Sequence, residues 1–199
     1  MNKNYRQLSA TKYLYNKIIK YKKCKFRNEF IELMYVTLEA WNMNSRGAQL
    51  SDFDKFKKSI TDNKTLLSDL EEYNIRDINY AFDKLETLYN NLDLVKTKSK
   101  LVTFTKTLQF ILPELVVPID RKYTLNFYSI NPNRLDQGPF GIFKSIHSDF
   151  CNFINTADYN REILSRRIIK TPDELTWLTS ETKIIDNIII GYQLKANTK

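Results

Sequence analysis

A lysine and an aspartate in the middle of the chain have the spacing and surroundings to carry out chemistry together. Lys106 belongs to an apolar stretch that Pro113 ends, and Asp120 follows a short β-branched run and Pro118. A lysine on a partly desolvated helix face can act as a nucleophile, because burial lowers the pKa of its amine. A carboxylate at the start of the next helix can move protons or stabilise a developing cation. The pair therefore fits Schiff-base chemistry at a sugar C1′ carbon.

The same two residues also have a structural interpretation. The Pro-Ile-Asp context of Asp120 is typical of a helix N-cap. Lys106 can equally be a solvated amine, or one that snorkels to the surface along its aliphatic stem. The sequence leaves both interpretations open.

Cations flank this pair on both sides. Arg121 and Lys122 follow Asp120 directly, and a helix start with two cations is a natural phosphate site. The alternative is that Asp120 already occupies the free N–H groups and the cations point into water. On the first interpretation we predict these nucleic-acid contacts: Arg46, Lys98, Lys100, Arg121, Lys122 and Tyr123.

A polar segment after an apolar helix, Trp41-Asn-Met-Asn-Ser-Arg-Gly-Ala48, is a second candidate for recognition. Asn and Arg side chains can contact base edges or phosphates, and a Trp ring can stack on a base. We therefore predict that Trp41 and Asn42, with Arg46 beside them, line a base pocket. Alternatively, the Asn and Gly residues simply end the helix and turn the chain.

The charge of the chain favours a polyanionic partner, for which duplex DNA is our expectation. The net charge is +8, and nine Lys or Arg residues precede Glu29, the first acidic residue. Segregated basic charge of this kind is typical of surfaces that meet nucleic acid. A lysine-rich protein with solvated faces is the other explanation.

Several other chemistries are disfavoured. His147 is the only histidine, so a histidine-rich metal site or a histidine-based triad is hard to build. The chain has no Walker loop and no GxGxxG, and we predict neither a cofactor nor a metal. Asp120-Arg-Lys122, with Glu114 upstream, resembles half of a PD-(D/E)xK nuclease site, but that site needs a strand-rich core.

The cysteines and the apolar runs indicate the compartment. Cys24 and Cys151 lie far apart without a CxxC context, which favours a reducing environment. The first residues are polar, unlike a signal peptide, and the longest apolar runs are too short or too charged to span a bilayer. We expect a soluble, cytoplasmic protein that does not contact a membrane.

Long helices must position these residues, because only four glycines and five prolines interrupt the chain. We predict one all-α domain over residues 1–199, a compact multi-helix bundle. Its N- and C-terminal helices would form a lobe around a central 50–130 lobe, with a cleft between. We predict a loop at 131–141, an N-terminal capping box at Thr171 to Glu174, and Phe150 and Phe153 facing inward. Hydrophobic periodicity predicts helices at 8–22, 29–41, 52–60, 77–92, 98–112, 120–128, 143–154 and 182–194.

The central stretch resembles the helix-hairpin-helix DNA glycosylase superfamily, in particular its 8-oxoguanine glycosylase branch. The resemblance rests on Thr105-Lys106 opening an apolar helix and on Val117-Pro-Ile-Asp120. It implies that Lys106 is the Schiff-base lysine and that Asp120 assists cleavage of the glycosidic bond. The glycine-rich hairpin that normally precedes the lysine is missing, and the stretch between the two residues is shorter than in typical members.

Three functions follow from these observations. The leading hypothesis is a glycosylase-like DNA repair enzyme, a hydrolase that acts on a damaged or modified base, with or without AP lyase activity. The second is a non-enzymatic nucleic-acid-binding module in which Asp120 is a structural cap. The third is a helical interaction subunit of a defence or toxin system.

Overall fold

The protein is all-α over the part of the chain that the structure describes. This computed structural model describes residues 9–21, 24–43, 49–97, 100–130, 138–156, 159 and 179–196. Within these ranges there is no β-strand, and an isolated antiparallel bridge joins Leu50 to Val95. The predicted fold class, a compact all-α protein, is confirmed.

Eight α-helices are found among the described residues. Two 3-10 turns, Leu70–Glu72 and Ile75–Asp77, precede the fifth helix, and a π-helical turn, Arg121–Leu125, follows the sixth. The helices are α1 (Ser9–Lys20), α2 (Asn28–Ala40), α3 (Phe53–Asp62), α4 (Lys64–Asp69), α5 (Ile78–Asn91), α6 (Leu101–Ile111), α7 (Gly138–Ile154) and α8 (Glu181–Ala196).

Most helix predictions are correct to within a few residues, but the region around α7 needs two corrections. The loop predicted at 131–141 is wrong over its last residues, because α7 already begins at Gly138. Pro139 suits the first turn of a helix, and Gly138 adopts a φ of 69° that a glycine tolerates. Phe153 is 43% exposed and does not face inward, whereas Phe150 is buried. The capping box predicted at Thr171 lies outside the described residues.

Helix α6 is the central element of the core. Nine of its eleven residues are buried, among them Phe104 and Phe110. Lys106 is the one charged residue in the α6 sequence, LVTFTKTLQFI. A buried helix is among the most rigid elements of a protein, so α6 presents the lysine from a fixed support.

The segment between α6 and the π-helical turn is mostly buried and has no regular secondary structure. Val116, Val117 and Ile119 are fully inaccessible to solvent. Buried backbone N–H groups need partners, and here side chains supply them. The N–H of Val117 donates to His147 Nε2 at 3.1 Å, and the N–H of Ile119 donates to Thr105 Oγ1 at 3.0 Å. These two hydrogen bonds hold the chain immediately before Asp120.

The protonation state of His147 follows from its partners. Its Nδ1 lies 2.9 Å from the carbonyl oxygen of Phe143, and its Nε2 accepts from Val117. The ring is therefore neutral, with its proton on Nδ1. Complete burial lowers the pKa of His147 to about 4, against the opposing effect of the two backbone hydrogen bonds.

Because of His147, we expect the stability to fall as the pH decreases from about 6.5 to about 4. The unfolded chain binds a proton near pH 6.5, whereas the folded protein binds it only near pH 4. The contribution of neutral His147 to the free energy of unfolding is complete above pH 6.5 and amounts to about 3 kcal/mol at most. Urea denaturation of wild type and His147→Gln between pH 4.5 and 7 measures it. Parallel pH dependences of the two proteins would contradict this assignment.

Candidate lysine and aspartate site

The structure brings Lys106 and Asp120 into direct contact. Lys106 Nζ lies 2.9 Å from Asp120 Oδ2. The side chain of Lys106 is 12% exposed and that of Asp120 is 29% exposed. The pair is therefore largely desolvated, yet the carboxylate still reaches the surface, as a group that acts on a substrate must.

Asp120 is also the N-cap of the π-helical turn. Its Oδ1 accepts from the N–H of Lys122 at 2.8 Å, and its own N–H donates to Thr124 Oγ1 at 3.1 Å. The N–H of Leu125 closes the turn on the carbonyl oxygen of Asp120 at 3.0 Å. The two carboxylate oxygens thus have separate tasks, since Oδ1 caps the turn and Oδ2 binds the lysine. The structural interpretation of Asp120 is correct, and it does not exclude the chemical one.

The environment of Asp120 keeps the carboxyl group charged. Burial on its own would raise the pKa of Asp120, and the carboxylate of Asp186 acts in the same direction. The charge and hydrogen bond of Lys106, with the N–H of Lys122, outweigh both, so that the pKa lies below its usual value. Near neutral pH the group is a carboxylate that can stabilise a nearby cation.

A second lysine and aspartate pair, on α8, is more deeply buried. Lys183 Nζ lies 2.5 Å from Asp186 Oδ2, and the two side chains are 1% and 4% exposed. The ammonium group also lies over the rings of Tyr15 and Trp41, at 5.2 and 6.0 Å from their centroids. Buried charges are rare and concentrate at functional sites. Sequence reasoning missed this pair, and the only signal was two opposite charges three residues apart in an isoleucine-rich helix.

The residues predicted for a base pocket have partly structural roles. Trp41 packs against Phe110 of α6, with ring centroids 5.1 Å apart. Asn42 has a φ of 68°, and its N–H donates to the carbonyl of Glu39. The next N–H, from Met43, reaches the carbonyl of Leu38. This pattern is the Schellman motif that ends α2. Arg46 lies outside the described residues.

Among the predicted phosphate contacts, Arg121 and Lys122 are exposed beside Asp120. The ammonium group of Lys122 lies 5.4 Å from the ring centroid of Tyr123. Lys100 points elsewhere: it donates to the carbonyl of Leu92 at 3.1 Å and lies over the ring of Tyr89, and burial lowers the pKa of its amine. Lys98 lies outside the described residues. The structure therefore groups Arg121 and Lys122 with the pair.

Gln109 is a further polar residue near the site. It lies three residues after Lys106, on the same face of α6, and it is fully buried. Its Nε2 contacts Thr182 Oγ1 at 3.4 Å, and its Oε1 accepts no hydrogen bond from the described residues.

The nuclease alternative does not fit the structure. Within the described ranges there is no strand to build the sheet that such a site requires. No group of three or more His, Cys, Asp or Glu residues in the described part of the chain could hold a metal ion.

In the described part of the chain, no helix is long and apolar enough to cross a membrane.

Comparisons with protein-family models, with curated proteins and with solved structures found no match to this chain. A function must therefore be inferred from the geometry of the lysine and aspartate site.

Proposed function

We propose that the protein is a base-excision DNA glycosylase that uses Lys106 and Asp120. The observation that carries the proposal is their 2.9 Å contact at the surface end of a desolvated site. Lys106 projects from the buried helix α6, and Asp120 is fixed by the π-helical turn. A preorganised nucleophile and carboxylate at this distance match what glycosidic bond cleavage requires.

The chemistry begins with a proton transfer. Lys106 acts as a nucleophile once it has given up a proton, for which Asp120 Oδ2 is the acceptor in contact. The free amine attacks C1′ of the sugar, and the N–C1′ bond forms as the glycosidic bond breaks. The base leaves with the bonding electrons and takes up the proton held on Asp120, which restores the carboxylate. One proton of the attacking nitrogen then moves to O4′ as the C1′–O4′ bond breaks, which opens the sugar ring and gives the protonated Schiff base. The restored Asp120 carboxylate stabilises its positive charge.

The surface around the pair supports DNA as the substrate. Arg121 and Lys122 are exposed at the start of the same turn that Asp120 caps, where they can bind the phosphates flanking the target nucleotide. The target base would have to leave the duplex to reach the pair, with Trp41 and Asn42 near its pocket. The net charge of +8 favours association with a polyanion. We further infer a cytoplasmic location.

The direct test is an assay of the wild-type protein on duplexes that contain 8-oxoguanine, uracil or an abasic site. Release of the base is measured by chromatography, and a Schiff base is captured with borohydride as a protein–DNA adduct. The proposal expects base release and an adduct on at least one duplex. Base release without an adduct would indicate a glycosylase in which Asp120 activates water. Neither base release nor an adduct on any duplex would contradict the proposal.

A nucleic-acid-binding module without activity is the second candidate, because Asp120 demonstrably caps the turn. The variant Asp120→Asn distinguishes the enzyme from the binding module, since asparagine is an equally good N-cap but carries no charge. For an enzyme we expect base release to slow by about 100-fold or more, while duplex affinity changes less than about two-fold. Filter binding and single-turnover kinetics measure the two quantities. The matched control is Asp62→Asn, which removes an exposed carboxylate that is paired with Lys58.

Equal rates for wild type and Asp120→Asn would show that the carboxylate has only its capping role. The binding-module interpretation would replace the enzymatic one if wild type and Asp120→Asn bind the duplex alike and neither releases a base.

A further inference from the structure

An open apolar groove lies between α7 and α8, beside the end of the π-helical turn. Its volume is about 470 Å³, which falls within the range of small-molecule binding sites, about 300–1,000 Å³. Buried side chains of both helices line it, including Phe150 from α7 and Ile185 and Ile189 from α8. On α8, Ile185 is the first and Tyr192 the last residue that lines the groove. The groove therefore extends about 10 Å along this helix.

Exposed aromatic rings form the rim of this groove. Phe127, Phe153 and Tyr192 are 41%, 43% and 61% exposed, and all three line it. The rings of Phe127 and Tyr192 meet edge to face with centroids 5.4 Å apart. Aromatic side chains that are both clustered and open to solvent usually mark a binding surface. Phe153 was predicted to face inward, but its ring faces this groove.

Among the described residues that line the groove, Asp149 is the single charged one, and none is Lys or Arg. Tyr128 is a neutral phenol, because burial and the nearby Asp149 carboxylate raise its pKa to about 12. On these described lining residues, an anion such as a nucleic-acid phosphate would meet a negative charge and no cation. An organic cation would meet a carboxylate and aromatic faces, both of which attract it.

We propose that this groove binds a small organic cation with an apolar body, such as an aromatic or branched alkyl ammonium, whose charge pairs with Asp149. The apolar body replaces water over Ile185, Ile189 and Phe150. The rings of Phe127 and Tyr192 enclose it from the rim. The described residues that line the groove include neither Lys106 nor Asp120, and the proposal does not depend on glycosylase activity.

The test uses the full-length protein and benzyltriethylammonium chloride as the probe, at low ionic strength, where screening is weak. Saturation-transfer NMR titrations measure the affinity. Benzenesulfonate, an aromatic anion, is the matched probe of opposite charge. We expect saturable binding of the ammonium, and Asp149→Asn and Tyr192→Ala should each weaken it by about ten-fold. Both side chains are exposed, so both variants should fold, which thermal melting verifies.

Two exposed residues of α5 give matched controls, namely Asp83→Asn and Tyr80→Ala. These variants should bind the ammonium like wild type. The proposal is overturned if benzenesulfonate binds as tightly as the ammonium, if Asp149→Asn binds like wild type, or if no saturable binding occurs. It is also overturned if Tyr192→Ala weakens duplex binding instead of ammonium binding, since the rim would then belong to a DNA interface.

Discussion

Replacing Lys106 by alanine is expected to abolish the borohydride-trapped adduct between the protein and DNA. The adduct requires an amine that can reach C1′, and Lys106 is the only amine of the described residues within ion-pair distance of Asp120. Loss of a covalent nucleophile removes the intermediate altogether, so we expect at least a roughly 100-fold decrease in trapped protein. Gel electrophoresis of the trapped mixture measures this directly.

Lys58→Ala is the matched control for this experiment. Lys58 also contacts an aspartate, Asp62, at 2.5 Å, but its side chain is 74% exposed on α3. This variant should form the adduct like wild type. An adduct that persists in Lys106→Ala would contradict our assignment and move the nucleophile elsewhere, with Lys98, Lys100 and the buried Lys183 as the next residues to replace.

Replacing Asp186 by leucine is expected to lower the free energy of unfolding by about 3–5 kcal/mol. The side chain of Lys183 is 1% exposed, and Asp186 is the carboxylate that its ammonium contacts. Removing one member of a buried ion pair leaves the other charge without that compensation in a medium of low dielectric constant, which is strongly unfavourable. Urea denaturation near pH 7, followed by circular dichroism, measures the change.

The double variant Lys183→Met, Asp186→Leu is expected to recover most of that loss, to within about 1–2 kcal/mol of wild type. An apolar pair of similar volume needs no compensating charge, and Tyr15 and Trp41 already surround the ammonium with aromatic surface. A loss below about 1 kcal/mol in the single variant would contradict the assignment of a desolvated pair. A double variant that is stable but cannot release a base would show that the buried pair contributes to activity.

Much of the fold follows from the periodicity of apolar residues. The stripes of α2 and α5 predict these helices nearly to the residue, and the apolar character of α6 predicts that helix with a start a few residues too early. The start of α7 was misplaced because Gly138 and Pro139 are read as loop residues, whereas Pro139 lies in the first turn, where its missing N–H is harmless. Local pattern identifies helices well but locates their first turns poorly.

The site was predictable only in part. Lys106 and Asp120 were identified from local context, but nothing local shows that their side chains meet, because that depends on the path of the chain after Pro113. His147 helps to set this path through a hydrogen bond to the backbone of Val117. The Lys183 and Asp186 pair depends on packing between α8 and distant aromatic residues. Contacts between residues far apart in the chain leave no signature in a single sequence.

The hydrogen bond from the N–H of Ile119 to Thr105 Oγ1 makes the Lys106 and Asp120 pair part of a closed ring of four residues. Thr105 and Lys106 are joined by a peptide bond, as are Ile119 and Asp120, and the ion pair between Lys106 and Asp120 completes the ring. This ring holds the two chemical groups against each other. For the proposed glycosylase, we expect a substrate to meet a pair that is already assembled, and any opening that admits it to occur elsewhere.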